Sequence, residues 1–374
     1  MSPQGSRLRC LLILVALLSA CLLAGGGFVR AAAATSVPAI LPFDGNTGWI
    51  NSDPLTPQSL RGKIVLVDFW EYTCINCLKE LPYVRTWYDR YKQYGFVVIG
   101  VHTPEFVFSG EQANVAAAVK RLDISWPVVL DGQGAIWQRY HNSFWPHEFL
   151  ANADGHVVLD HVGEGDYPAT EAKIQSLIKA QHPGAQLPKP MALLAADSYT
   201  KPGAVCYPQT PEVYVGLWRS PDAALGNREG YHRGEVVNYH DSGRNHFDGF
   251  VYLQGPWFNA EQAMVHARTD AAASDHIDLR YHAIEVVSVL KPEAGKPITV
   301  YVEQDGKPLA QQDAGSDVRY DADRRSFVTV DAPRAYELVM NRHFGHHDLT
   351  LRPVEYGLGV YTFDFESCEV GADR

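Results

Sequence analysis

Cysteine is scarce in this chain, with six in 374 residues, too few for a small disulfide-stapled scaffold. Positive charge is in deficit: 32 Lys and Arg face 43 Asp and Glu, for a formal net charge of −11. A nucleic-acid binder carries a basic excess to meet phosphate, so no nucleic-acid partner is expected. Past the first thirty or so residues no apolar run approaches the roughly 20 residues that a membrane-spanning helix needs. Internal repeats and low-complexity tracts are also missing there. Ordinary contents of hydrophobic (46%) and charged (20%) residues exclude a disordered, collagen-like or coiled-coil chain. The length suits two domains better than one small one.

The chain opens on an address. Arg7 and Arg9 precede the apolar run from Cys10 to Ala24, and Gly25–Gly27 with Ala31–Ala34 supply a small-residue exit. A basic head, an apolar centre and small residues read as an export signal over residues 1–34, cleaved near Ala33 or Ala34. Two alternatives use the same residues: an uncleaved anchor if the run extends through Phe28, and a lipoprotein signal at Leu18-Ser19-Ala20-Cys21. All three readings put the remainder in a periplasmic or other extracytoplasmic space, free or tethered at its N-terminus, where disulfides persist. Four cysteines are then left to explain: Cys74, Cys77, Cys206 and Cys368.

Residues 40–180 alternate buried-type strands with helical spacing. Ile64–Trp70, Phe96–Val101, Pro127–Asp131, Glu148–Ala153 and His156–Val162 read as strands, and Cys77–Gln93, Glu111–Leu122 and Thr170–Ala180 as helices. This alternation predicts an α/β layer with a mostly parallel central sheet. Asp154-Gly155 adds an antiparallel hairpin at its edge. Residues 181–204, with Pro183, Pro188, Pro190 and Pro202, read as a linker or as a strap laid on one domain. In residues 205–370 helical periodicity nearly vanishes. Short strand-like runs, among them Ile277–Tyr281, Ile284–Val289, Tyr336–Met340, Leu349–Arg352 and Val360–Phe365, are separated by turn residues. That texture predicts an all-β jelly-roll sandwich.

The chemistry concentrates at Cys74-Ile75-Asn76-Cys77. A Cys-x-x-Cys pair between a buried strand and a helix is a redox arrangement. The N–H groups at a helix start favour a thiolate, which makes Cys74 the attacking sulfur and Cys77, three residues deeper, the resolving one. Haem attachment would need histidine where Leu78 stands, and zinc a second ligand pair, which is not near. Asp68 interrupts an apolar strand; it reads as a proton acceptor for Cys77, or else as a strand-edge residue in water. Glu80 stands one helical turn past Cys77, either facing the same side or solvated beside Lys79. Pro82 should kink the helix beyond the cysteines. Trp145-Pro146 precedes the fourth strand.

Val67-Asp68-Phe69-Trp70, the Cys74–Cys77 pair, Pro82 and Pro146 resemble a thioredoxin fold, and Cys74-x-x-Cys77-x-x-Glu80-x-Pro82 is similar to the TlpA/ResA-type thiol–disulfide oxidoreductases. Tyr72-Thr73-Cys74-Ile75-Asn76-Cys77, Gly100-Val101-His102-Thr103-Pro104-Glu105-Phe106 and Gly163-Glu164-Gly165-Asp166-Tyr167 resemble the C-terminal part of DipZ-type proteins. The tail from Thr210-Pro211-Glu212 to Tyr361-Thr362-Phe363 resembles their carbohydrate-binding-module-like domain. The resemblance implies Cys74 as nucleophile, Cys77 as resolving thiol, Asp68 and Glu80 as proton-handling acids, and Pro146 as a cis-proline. Trp70 and Trp145, which flank these positions, are expected to contact substrate. The implied substrates are protein disulfides, and the implied electron donor is a CcdA/DsbD-like membrane protein; no cofactor is called for.

In the β domain, Cys206 opens and Cys368 closes the sequence. First and last strands of a sandwich commonly lie side by side, so a structural disulfide is expected between them, with two unrelated thiols as the alternative. Trp218, Trp257, Tyr239 and Phe258 could stack on a glycan if they share an exposed face; otherwise they are core. His343, His346, His347 and Asp348 show no tetrahedral ligand set and read as a solvated loop rather than a metal site. The expected activity is protein-disulfide reduction outside the cytoplasm. A thiol peroxidase is the first alternative, although Phe69 stands where its Pro-x-x-x-Thr-x-x-Cys approach wants proline. A glycan- or protein-binding module with a vestigial redox pair is the second.

Overall fold

The computed structural model describes residues 38–194, 204–219, 224–243, 245–269 and 274–370. The export-signal reading of residues 1–34 and the stretch 195–203 of the proline-rich connection lie outside them.

Residues 38–194 form the α/β layer. Its strands are β1 (Gly48–Ile50), β2 (Ile64–Trp70), β3 (Phe96–His102), β4 (Val128–Leu130), β5 (His147–Ala151) and β6 (Val157–Val162). Its helices are α1 (Ile75–Tyr91), α2 (Gln112–Arg121), α3 (Ala135–Arg139) and α4 (Tyr167–Gln181). The sheet runs β1-β4-β3-β2-β5-β6, parallel for β2–β3 and β3–β4 and antiparallel elsewhere. β1 and α3 are too short, at three and five residues, for periodicity to announce them. β2 lies at the centre and is buried on both faces, which is why it reads as a continuous apolar run. Ile64, Leu66 and Trp70 pack with Trp87 and Tyr91 of α1 and Ile174 and Ile178 of α4. Val65, Val67 and Phe69 point the other way, against Phe43, Tyr140 and Phe149. Asp68, in register with the first set, therefore points to the α1 side.

The described part of the connection is a strap, not a free linker. Arg90 Nη1 donates to the Lys189 carbonyl at 3.0 Å, Gln175 Nε2 to the Pro188 carbonyl at 2.9 Å, and the Met191 N–H to Glu171 at 2.6 Å.

The second part is all β. Its strands are β7 (Ala204–Cys206), β8 (Val213–Tyr214), β9 (Val236–Tyr239), β10 (Val251–Asn259), β11 (Met264–His266), β12 (His276–Pro292), β13 (Ile298–Gln304), β14 (Lys307–Pro308), β15 (Arg319–Tyr320), β16 (Ser326–Val330), β17 (Arg334–Pro353), β18 (Leu358–Glu366) and β19 (Cys368–Val370). Ile277–Tyr281 and Ile284–Val289 are halves of the single 17-residue strand β12, and Tyr336–Met340 and Leu349–Arg352 belong to the 20-residue β17. His343, His346 and His347 accordingly sit in a strand and not in a loop, with His346 paired to His282 and His347 to Tyr281 across β12. One edge of β12 follows β17; the other pairs first with β10 and then with β18. A long strand that changes partner turns a corner between packed layers. The sheet thereby folds over a core that includes Tyr281, Leu290, Val300, Leu338, Leu351 and Phe363. Cys206 and Cys368 face each other in the β7–β19 pair and are joined by a disulfide with an S–S distance of 2.02 Å.

The outer face of this β domain is not solvated throughout. Val287 and Val289 of β12, Ala335 of β17 and Tyr361 of β18 share one core with Ile75, Phe106 and Phe108 of the α/β domain. The Tyr361 ring meets Phe106 and Phe108 edge-on, at 5.3 and 4.8 Å between centroids. Lys79 of α1 reaches across to Glu285 at 2.6 Å and to Glu366.

Candidate active site

Cys74 caps α1. Its backbone is extended (φ −75°, ψ 117°) and its sulfur accepts the Cys77 N–H at 3.2 Å. The Cys77 thiol donates to Cys74 Sγ with the sulfurs 2.6 Å apart, and both cysteines are free. A bond at ~2.05 Å would need a movement of about half an ångström. Glu71 holds the turn that precedes them: its carboxylate accepts the Thr73 N–H at 2.5 Å and the Thr73 hydroxyl, and its other oxygen lies 3.6 Å from His102 Nε2. Pro82 sits within α1 and lacks the N–H that would bond the Leu78 carbonyl.

Behind Cys77 lies a cluster of acids. β2–β5 pairing sets Asp68 opposite Glu148, and α1 brings Glu80 over them. All three are 1–2% exposed, which excludes the solvated alternatives for Asp68 and Glu80. Lys79 does not neutralise Glu80, because it points to the β domain. Burial, then the neighbouring Glu148 charge, holds Asp68 well above the usual carboxylate range. Burial followed by Glu148 and Asp68 does the same to Glu80. Burial pushes Glu148 up to about 7, against hydrogen bonds from Glu80 and Thr170. Close like charges in a desolvated space cannot all ionise. Glu148 escaped the sequence reading although it carries the same signal as Asp68, one acid in an apolar strand.

The expectation of a favoured Cys74 thiolate meets a stronger opposing effect. Burial pushes the Cys74 thiol up; hydrogen bonds from Cys77 pull it down, and Glu105 and Asp364 raise it further. Burial pushes the Cys77 thiol still higher, helped by the Cys74 sulfur and Glu80.

Cys74 is half-buried and faces a cleft of about 280 Å³. One wall is Thr73, Glu105, Phe144 and Trp145; the other is Glu212, Tyr214, Arg219 and Asp364 of the β domain. Glu105 accepts from Tyr214 Oη and Arg219 Nη1, each at 2.6 Å. Nothing in the sequence links these β-domain residues to the thiols. Trp145 packs on Trp137, with centroids 4.4 Å apart, and keeps part of its ring in the cleft. The Trp145–Pro146 peptide is cis. Trp70 cannot contact a substrate: it is 1% exposed, and its indole lies against Gly100, where an added Cβ would meet Nε1 at 2.8 Å. Its position at the inward register of β2 makes it core.

The proposed glycan platform also divides. Trp257 and Tyr239 are fully buried, while Trp218 and Phe258 are partly exposed, so the four share no open face.

Comparison with known proteins adds to this geometry. The family described as "Redoxin" matches residues 51–178, and "Thioredoxin like C-terminal domain" matches residues 210–365. Protein DipZ of Mycobacterium bovis is 35% identical over 336 residues, covering 86% of this chain and 42% of DipZ; the chain thus spans less than half of that relative's length. Thiol-disulfide oxidoreductase ResA of Bacillus cereus is 32% identical over 120 residues, 32% of this chain and 66% of ResA. Among solved structures, StoA from Bacillus subtilis aligns with 37% of this chain and 97% of its own at 25% identity, with a TM-score of 0.30. With its Cys-x-x-Cys turn in place and both of its parts matched, the chain is DipZ/ResA-like, with a thioredoxin-like fold in its first part.

Proposed function

We propose that the protein is an extracytoplasmic thiol–disulfide oxidoreductase that reduces disulfides of protein substrates. One observation carries this reading: two free cysteines share the first turn of α1, one facing a cleft and the other backed by buried acids. The Cys74 thiolate attacks a client disulfide; a Cys74–client bond forms, the client S–S bond breaks, and the departing sulfur takes a proton. Cys77 then loses its proton and attacks Cys74 Sγ, which releases the second client thiol and leaves a Cys74–Cys77 disulfide. The client gains two electrons and two protons. Glu80, the member of the cluster that acts on the Cys77 thiol, shares a hydrogen bond with Glu148, whose carboxyl burial pushes up to about 7, so the cluster receives the Cys77 proton through Glu80 and holds it at Glu148 near neutral pH. Asp68 and Glu80 keep that site desolvated and proton-rich. Trp145 lines the cleft as a substrate-positioning residue, and the buried cis-Pro146 next to it sets the direction of that wall.

The electrons come, on this reading, from a CcdA/DsbD-like membrane donor that reduces the Cys74–Cys77 disulfide. No helix among the described residues is long and apolar enough to cross a membrane. A glycan on the β domain would have only Trp218 and Phe258 of the aromatic set to stack on. Insulin-disulfide reduction tests the central reading. Cys74→Ser should abolish turnover, and Cys77→Ser should accumulate a mixed disulfide through Cys74; full turnover by either variant would remove the assignment.

A further inference from the structure

The β domain supplies half of the cleft in which Cys74 stands, and its contribution is not neutral. Three acids line the cleft, Glu105, Glu212 and Asp364, against one basic residue, Arg219. Arg219 is already committed to Glu105 and to the Tyr214 hydroxyl, at 2.6 and 2.8 Å. Lys79, the next cation along α1, is engaged by Glu285 and Glu366. Among the described residues neither Glu212 nor Asp364 has an ion pair. Glu212 stands at the mouth, exposed as a residue but with its carboxyl turned inward, where burial and then Asp364 and Glu105 push it up to about 8. Asp364 lies deeper, beside Val287, Val289 and Thr362.

We propose that Glu212 and Asp364 select the client: the cleft takes disulfides whose cysteine is flanked, within a residue or two, by Lys or Arg. This deepens the oxidoreductase reading above and rests on it. A cleft of about 280 Å³ takes a short extended segment more readily than a rigid folded surface, and its excess of acids over the single Arg219 attracts a cation and repels an acidic segment. The cation has a second effect. Asp364 and Glu105 both oppose ionisation of the Cys74 thiol, and Asp364 is itself pushed up to about 6, by burial first and then by Glu366. A basic side chain seated beside them pairs with these carboxylates and offsets their repulsion of the thiolate. A cationic client thereby helps to generate the nucleophile that attacks its own disulfide. No bond other than those of the exchange is made or broken.

The test uses the full chain, pre-reduced, in single-turnover reactions at pH 8 with two symmetric peptide disulfides that differ only in Arg or Glu beside the cysteine. The neutral hydroxyethyl disulfide serves as reference. The expected result at low ionic strength is a rate constant at least about tenfold larger for the Arg peptide, with the ratio shrinking in high salt because the mouth is solvated. In the Glu212→Gln, Asp364→Asn double variant the ratio should fall to within about twofold of one. A wild-type ratio near one, or a ratio as large in the double variant, overturns the proposal. Should that variant misfold, the salt dependence of the wild-type ratio decides alone, a salt-independent ratio counting against selection by charge. If the wild type reduces neither peptide nor hydroxyethyl disulfide, the oxidoreductase reading itself fails, an outcome distinct from equal rates.

Discussion

Replacing Glu148 by glutamine separates the charge of the buried acid cluster from its shape. Glu148 is 1% exposed, faces Asp68 across β2–β5 and shares a hydrogen bond with Glu80. Burial raises its carboxyl from an ordinary 4.5 to about 7. Between those two values the folded chain keeps a proton that the unfolded chain has released. Stability therefore falls as pH rises through this window and stays reduced above it. A gap of about 2.5 pH units at ~1.4 kcal/mol each gives a pH-dependent loss of about 3 kcal/mol. The amide keeps the volume and the hydrogen-bonding capacity but cannot ionise, so the share of that slope due to Glu148 disappears. Urea unfolding of the oxidised protein, which silences both thiols, should show the wild type losing about 2–3 kcal/mol more than Glu148→Gln between pH 5 and pH 8.5. At the higher pH the variant should be the more stable protein. The same variant should prolong the mixed disulfide at pH 7 by at least about tenfold, since general-base assistance ordinarily contributes about 10²-fold or more. Parallel pH profiles for the two proteins would refute both the placement of charge in this cluster and its service to Cys77.

Two further outcomes follow from the interface and the thiol. Carbamidomethylation of reduced protein by iodoacetamide should increase with pH and show no inflection below pH 9, because burial pushes the Cys74 thiol above its ordinary value of 9.0; an inflection near 6 or 7 would overturn that placement. Lys79→Met should leave Glu285 and Glu366 without their shared cation and cost about 3–5 kcal/mol, the usual result of orphaning a buried charge. The loss should be larger at pH 8 than at pH 5, since burial raises Glu285 to about 7 and it is neutral at the lower pH. An unchanged melting temperature at pH 8 would show that the two domains do not depend on this contact.

Much of the fold was legible because burial imposes simple patterns. The strand Ile64–Trp70 lies between two packed faces and is apolar throughout, apart from Asp68, and the Cys74–Cys77 pair at its end marks the redox turn. The fusion of two predicted strands into β12, and of two more into β17, was not legible: polar residues such as Arg280, His282 and His346 interrupt hydrophobicity without breaking backbone pairing. Trp70 misled by adjacency. It stands four residues from Cys74, yet the two-residue period of β2 turns its side chain into the core.

The sequence by itself determined local features: a Cys-x-x-Cys pair at a helix start, an acid within an apolar strand, and an α/β part followed by an all-β part. Local periodicity carries that information because neighbours along one element share its geometry. Only the tertiary structure decided what meets across elements. Pairing of β2 with β5 turned Asp68 and Glu148 into one proton-sharing cluster. In β18, Phe363 and Phe365 enter the β core, while Thr362, Asp364 and Glu366 alternate with them and read as a solvent face. Docking of that face on α1 instead put Thr362 and Asp364 over the thiol and Glu366 on Lys79. A period of two fixes which residues share a face of a strand; it carries no information about what the outer face will meet.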